Sequence, residues 1–207
     1  MLRTPVEERI RAVFPKGNDW EREDKALDAN DYAERVQYAI DKICLLAPLS
    51  VRSQRRSDHH CDEFIFTHID DPSFESWVGG MDNASKLQWI KNKGKPYVAF
   101  WLKVSRVADY YTTFFNHWRP RGNTGYLDSE SREEPSIAWV EYSQQIFEQL
   151  EVQGFLPATR DFLNEKVPFV LTWGGDEIPD GDPRWDDDNF EPDSVPSVVY
   201  DCLFGDQ

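Results

Sequence analysis

Residues 96–118 read PYVAFWLKVSRVADYYTTFFNHW, and this stretch decides the fold class. From Pro96 to Ser105, apolar side chains occupy both sets of alternating positions, which is typical of a strand covered on both faces. The segment from Tyr110 to Trp118 is rich in Tyr, Thr and Phe and is predicted to be its neighbour. Together the two segments predict a central sheet.

Helical and extended segments flank this pair of strands. Apolar residues at helical spacing predict a helix that follows the cap residue Asp28 and stops at Pro48. Ser131 and Glu134 form a capping box that predicts another helix, and residues 119–131 are predicted to be a turn-rich loop. Further predictions are a short helix capped by Thr4, strands over residues 63–69 and 167–173, a short helix over residues 85–91 closed by Gly94, and a strand or short helix within residues 195–204.

This order of elements predicts an α+β fold. Helices come first, strands follow, and a helix and further strands complete the chain, which indicates a mainly antiparallel sheet. We expect about four to six strands with helices packed on one face. The length suits a single α+β domain over residues 1–207, with residues 174–207 docked on it as an acidic C-terminal segment.

The charge of the chain is strongly negative and unevenly distributed. Asp and Glu number 38 against 23 Lys and Arg, which gives a net charge of −15. Residues 174–207 hold eleven carboxylates against one base, Arg184. Binding to nucleic-acid phosphates needs a basic surface, so the composition excludes a general nucleic-acid binder. It also argues against docking on an anionic membrane.

Cysteine content and apolar runs indicate a reducing, aqueous compartment. Cys44, Cys61 and Cys202 are odd in number and widely spaced, without the close pairs that a disulfide framework or a zinc ribbon needs. The N-terminal residues lack the apolar core of a secretory signal. No apolar run approaches the length of about 20 residues that a membrane-spanning helix needs. We therefore expect a cytoplasmic protein.

One stretch carries residue types that bind metals. His59 and His60 precede Cys61 and Asp62, and His68 follows nearby. Spacing argues against a shared site, because His68 lies roughly 20–27 Å along an extended strand from His60. Cys61 is not expected to be a nucleophile, since the neighbouring carboxylates oppose the thiolate that a nucleophile needs. A metal-dependent hydrolase that uses the His59, His60 and His68 region is the alternative function.

The acidic segment, residues 174–207, combines carboxylates with aromatic side chains. Carboxylates steer a basic partner and raise its association rate, while aromatic rings supply anchoring area. The alternative interpretation is a solvated loop that aids solubility, because runs of charge are usually that. The order of calcium ligands in an EF-hand is missing from the segment, and no cofactor is expected. The candidate partner-binding residues are Asp176, Glu177, Asp180, Asp182, Trp185, Asp186, Asp187 and Asp188.

The sequence contains no Walker loop, nucleophile elbow, HExxH motif or dinucleotide fingerprint. We therefore expect a non-catalytic binding protein that neutralises a basic protein partner through its acidic C-terminal face. Its most concrete form is a bacterial immunity or antitoxin-type inhibitor of a toxin, by analogy of size and charge and not of motif. A structural or adaptor domain is a third alternative that the sequence does not separate from the first.

Overall fold

The computed structural model describes residues 29–55, 61–165, 170–171, 177–178 and 198–204, and the helix predicted from Thr4 lies outside them. Its helices are α1 (Ala29–Leu46), α2 (Asn83–Lys93), α3 (Val140–Val152), α4 (Arg160–Leu163) and α5 (Val199–Phe204). Its strands are β1 (Leu49–Arg55), β2 (Cys61–His68), β3 (Tyr97–Ser105), β4 (Tyr110–Pro120), β5 (Leu127–Arg132), β6 (Leu156–Pro157), β7 (Val170–Leu171) and β8 (Glu177–Ile178). A π-helical turn (Ser76–Gly80) precedes α2, and a 3-10 turn (Ile137–Trp139) precedes α3.

A meander of five strands forms the centre of the fold. The strands β1 to β5 lie side by side in chain order, and each neighbouring pair is antiparallel. The short strand β6 pairs in parallel with the start of β4 and completes a six-stranded sheet, while β7 and β8 form a separate antiparallel pair. The predicted α+β class with a mainly antiparallel sheet is confirmed. Within the described ranges, no helix has both the length and the apolar content to cross a bilayer.

Two long helices cover one face of the sheet. On α1, Val36, Ile40 and Ile43 recur at helical spacing and are at most 4% exposed. Together with apolar residues of α3, they pack on alternate side chains of β3, of which Phe100 and Leu102 are fully buried. This cluster holds more buried apolar residues than either of the other two in the described part of the chain, and each buried Å² of apolar surface contributes about 25 cal/mol.

Shorter helical segments cover the opposite face of the sheet. Tyr97 and Ala99 of β3 form a buried cluster with Trp77 of the π-helical turn and Ile90 of α2. The rings of Trp77 and Tyr97 stack with their centroids 4.0 Å apart. This second layer explains why β3 is apolar at successive positions, since a strand covered on both faces has no solvent side.

The last helix, α5, packs on the second face near the start of β2. Val199, Leu203 and Phe204 are fully buried, in one cluster with Cys61 and Val107. The Cys61 thiol donates a hydrogen bond to the Phe204 carbonyl oxygen at 3.7 Å. Of the strand and the short helix that the sequence left open for residues 195–204, the structure has the helix. Cys61 is buried beneath it, away from solvent.

Two segments differ from their predictions. Residues 119–131 are not simply a loop, because Leu127–Arg132 forms the strand β5 against β4. Ser131 lies in this strand and donates its hydroxyl hydrogen to Asn116 Oδ1, so it caps no helix. The helical segment begins after Ser136 instead. An edge strand needs no apolar alternation, and for this reason the polar sequence of β5 concealed it.

Candidate functional site

One edge of β4 is left open over three residues. The strand β6 pairs with residues 110–111, and β5 pairs with β4 from Phe115 onward. Among the residues that the structure describes, none pairs with residues 112–114 on that side. We call residues 112–114 the β4 gap, which spans about 10 Å at the usual rise of a strand.

The backbone of Thr113 faces this gap. The carbonyl oxygens of Asp109 and Tyr111 accept hydrogen bonds from the N–H groups of Leu156 and Ala158, at 2.9 and 2.8 Å. Backbone groups of successive residues point to alternate sides of a strand. The N–H and C=O of Thr113 therefore point to the same side as those of Tyr111, and they present one donor and one acceptor to the gap.

A cleft of about 550 Å³ lies over the β4 gap, and we call it the β4 cleft. Its walls come from β4, from α3, from the segment that joins β6 to α4, and from α5. Hydroxyl groups, aromatic rings and a few charged groups share the lining, a mixture that is typical of ligand-binding sites. The lining residues are Tyr111, Thr112, Thr113, Phe114, Glu133, Phe147, Glu151, Pro157, Ala158, Thr159, Arg160, Leu163, Asn164 and Tyr200.

The charge of the described lining is negative. Glu133 and Glu151 stand against a single base, Arg160. The Arg160 guanidinium lies 3.5 Å from the Glu133 carboxylate, and both side chains are exposed, so this pair contributes little to stability. Glu151 lies in the last turn of α3, where the helix dipole adds negative potential. The cleft therefore attracts a cation, and Glu151 is the stronger point of attraction.

Tyr111 keeps its hydroxyl proton at neutral pH. Burial, as the larger cause, and the Glu151 carboxylate, as the smaller one, raise the pKa of Tyr111 above its ordinary value. The side chain is almost fully buried at the inner wall of the β4 cleft. It is therefore a neutral hydrogen-bonding group and not a nucleophile.

A buried ion pair lies behind the cleft. Lys103 and Glu63 are cross-strand neighbours, with Nζ of the lysine 3.2 Å from Oε1 of the glutamate and both side chains almost fully buried. Lys103 also donates a hydrogen bond to the Tyr200 hydroxyl at 3.2 Å, and Tyr200 lines the cleft. Glu63 compensates the charge of Lys103, so the pair positions Tyr200 without making the cleft positive.

The described lining of the cleft does not form a catalytic constellation. No His or Cys occurs in it, so the hydroxyl groups of Thr112, Thr113 and Thr159 have no imidazole base beside them. Glu133 and Glu151 are both exposed to solvent. The arrangement can bind an extended or cationic ligand.

The described residues of the stretch that carries potential metal ligands do not come together at one place. Asp62 and His68 lie near opposite ends of β2, about 20 Å apart at the rise of a strand. Nδ1 of His68 accepts a hydrogen bond from the N–H of Asp70 at 3.3 Å. His59 and His60 lie outside the described residues. Within residues 61–165 and the other described ranges, no three His, Cys, Asp or Glu side chains are grouped to hold a metal ion.

The predicted partner-binding side chains all fall outside the described part of the chain, and they stay predictions. Only the backbone of Glu177 is described, in β8, where it pairs with Leu171. The other predicted residues are Asp176, Asp180, Asp182, Trp185, Asp186, Asp187 and Asp188.

Sequence reasoning missed the β4 gap because the gap depends on where two other strands stop. The strand β5 ends opposite Phe115 and β6 ends opposite Tyr111, and neither end is visible in the sequence of β4. The sequence held one signal of the gap, since the polar residues Thr112 and Thr113 interrupt the aromatic residues of this strand. No protein-family model, curated protein or solved structure matches the chain, so its function is inferred from its own residues.

Proposed function

We propose that the chain is a non-catalytic binding protein that holds a basic protein partner on its acidic surfaces. The β4 cleft carries this proposal, because it combines an open backbone edge at Thr113 with the carboxylates of Glu133 and Glu151. The net charge of −15 supports it, since a field of one sign steers a partner of the opposite sign.

The most concrete form of this function is a bacterial immunity or antitoxin-type inhibitor of a toxin. Such an inhibitor has to bind its target and needs no catalytic group, which fits an acidic chain with a preformed cleft. In this proposal the acidic segment supplies a second contact surface through Asp186, Asp187 and Asp188. Two contact surfaces in one chain strengthen binding, because the second contact forms at a high effective concentration.

Affinity capture from the source cells, followed by purification of the captured protein, tests the proposed function. We expect a basic protein whose dissociation constant rises with salt concentration, because salt screens the attraction between the two charges. Replacing Asp186, Asp187 and Asp188 together by Asn should weaken binding about tenfold and reduce the salt dependence. Co-expression of the chain should suppress the toxicity of the captured protein in a host cell.

A matched control removes three carboxylate charges elsewhere. The triple variant Glu34→Gln, Asp41→Asn, Glu141→Gln changes exposed positions on α1 and α3 that do not line the cleft, and it should bind with unchanged affinity. Equal affinity of the two triple variants, or an affinity that does not depend on salt, would show that the acidic segment is only a solvated surface. The proposed function would then be wrong.

A further inference from the structure

On the basis of the proposed function, we infer that the β4 cleft takes a short extended stretch of the basic partner. This stretch adds to β4 at the gap and places a lysine or arginine beside Glu151. In such strand addition, main-chain hydrogen bonds supply affinity, and the side chains that flank the added strand supply specificity. The partner is therefore recognised by one exposed, extended and basic segment.

Thr113 supplies the main-chain contacts. It is half-buried, its N–H and C=O face the gap, and among the described residues no strand pairs with it on that side. Nearly all buried backbone groups in folded proteins have hydrogen-bond partners. A residue in extended conformation offers a C=O and an N–H at the spacing that Thr113 requires. The open side of Thr113 is thus a place for one residue of an added strand.

The ends of the neighbouring strands limit the length of the added stretch. Arg132 of β5 lies opposite Phe115, and Pro157 of β6 lies opposite Tyr111. At the usual rise of a strand, about 13 Å of β4 separates Tyr111 from Phe115. A long foreign strand cannot run along β4 between them, so the cleft selects a short stretch that enters and leaves through its open side.

Charge decides which side chains the stretch carries. Glu151 lies at the C-terminal end of α3, and Arg160 is 3.5 Å from the other carboxylate, that of Glu133. A lysine or arginine of the partner that lies beside Glu151 is attracted both by this carboxylate and by the helix dipole, whereas an acidic stretch is repelled. Phe147, which lies on the same helix as Glu151 and lines the cleft, can cover the aliphatic stem of such a side chain.

A labelled peptide, acetyl-Thr-Lys-Val-Lys-Val-Lys-Thr-amide carrying fluorescein, is the probe for this docking mode, because its central lysine, opposite Thr113, points to the face of the sheet that carries α3 and Glu151. We expect saturable binding in fluorescence anisotropy and a chemical-shift change at the Thr113 amide in ¹H–¹⁵N spectra. The same peptide with Glu in place of Lys should not bind. N-methylation of the central lysine should weaken binding about tenfold, because the added strand then lacks the N–H that donates to the Thr113 carbonyl oxygen. These peptide controls use the unmodified protein, so they do not depend on the folding of a variant.

Two protein variants test the two contacts separately. Thr113→Pro removes the N–H that faces the gap without removing a bond to β3, and it should weaken peptide binding about tenfold. Ser129→Pro is its matched control, since the backbone of this exposed β5 residue faces away from β4.

Glu151→Gln should weaken binding about fivefold. Glu148→Gln removes an exposed charge of the same helix outside the cleft and should change nothing.

An unmoved Thr113 amide signal, or equal affinity for the methylated and unmethylated peptides, would overturn the inference. A dimer in sedimentation that Thr113→Pro dissociates would also overturn it, because the gap would then take a second copy of the chain. The two proposals fail separately. A basic partner whose binding needs Asp186, Asp187 and Asp188 but not Thr113 leaves the proposed function standing without this docking mode. A peptide that binds at Thr113 when no basic partner is captured leaves this docking mode standing without the proposed function.

Discussion

His117 of β4 is a buried histidine beside a group of charged side chains. It is 5% exposed, and its Nε2 atom is buried without a hydrogen-bond partner among the described residues. Its cross-strand neighbour Glu130 pairs with Arg119 at 2.6 Å and with Arg132 at 2.9 Å. Burial is the largest cause that lowers the pKa of His117, and Arg132 is the next, while Glu130 opposes them. The folded state therefore holds this imidazole neutral.

Acidification should destabilise the fold through His117. Because its folded pKa lies below the unfolded value of about 6.5, the unfolded chain takes up the proton more readily. Its contribution is complete above a pH of about 6.5 and is lost as the pH falls below that value, by at most about 1.4 kcal/mol per pH unit. His117→Phe should reduce this loss in urea unfolding measured on both sides of that pH. An identical pH dependence in the variant and the natural chain would contradict the prediction.

At the scale of elements, the sequence predicted the helices and strands whose buried residues recur at a regular spacing. The helix α1 and the strand β3 bury residues at spacings of 3.6 and 2, and both were predicted within a few residues of their bounds. The strand β5 reads Leu-Asp-Ser-Glu-Ser-Arg and owes its conformation to pairing with β4. The strand β6 is two residues long and exists because the chain returns to β4 after α3. The β4 cleft depends on these two strands, so it could not be predicted either.

The end of α2 offers a test of one sequence prediction, that Gly94 closes a helix. Gly94 has a φ of 64°, in the left-handed region, and its N–H donates to the Ile90 carbonyl oxygen. Gly94→Ala should cost about 1 kcal/mol of unfolding free energy. The cost is conformational, since no atom lies within 4 Å of the added Cβ. Gly79→Ala meets equally open space without a positive φ and should be close to neutral. Equal urea midpoints for the two variants would refute this assignment.

At the scale of the whole molecule, the described part of the sheet separates a large buried cluster on one face from two smaller ones on the other. Phe100 is fully buried between β3 and the long helices, and it contacts Phe115 and Trp139 of that large cluster. Trp101, the next residue, points to the opposite face, where it is half-buried and stacks on Phe114 at 5.4 Å. Two adjacent residues of one strand thus report on the two faces.

Truncation of these two residues should have unequal effects. Phe100→Ala should cost about 3–5 kcal/mol, because it leaves a cavity between the rings of Phe115 and Trp139. Trp101→Ala should cost less, since solvent already reaches part of this side chain. The free energy of unfolding in urea measures both effects, and a larger loss for Trp101→Ala would show that the second face is the main core.

The order of the strands also governs how the chain reaches this structure. The connections from β1 to β2, from β3 to β4 and from β4 to β5 are short, so these pairings favour rapid folding, whereas residues 69–96 separate β2 from β3. The parallel pairing of β6 with β4 is different, because the chain has to pass through β5 and α3 before Leu156 reaches Tyr110. We expect the β1–β2 pair and the β3–β4–β5 meander to form as two local units during synthesis on the ribosome and then to pair through β2 and β3. The nascent chain would then gain the wall of the β4 cleft only after residues beyond α3 have emerged from the exit tunnel.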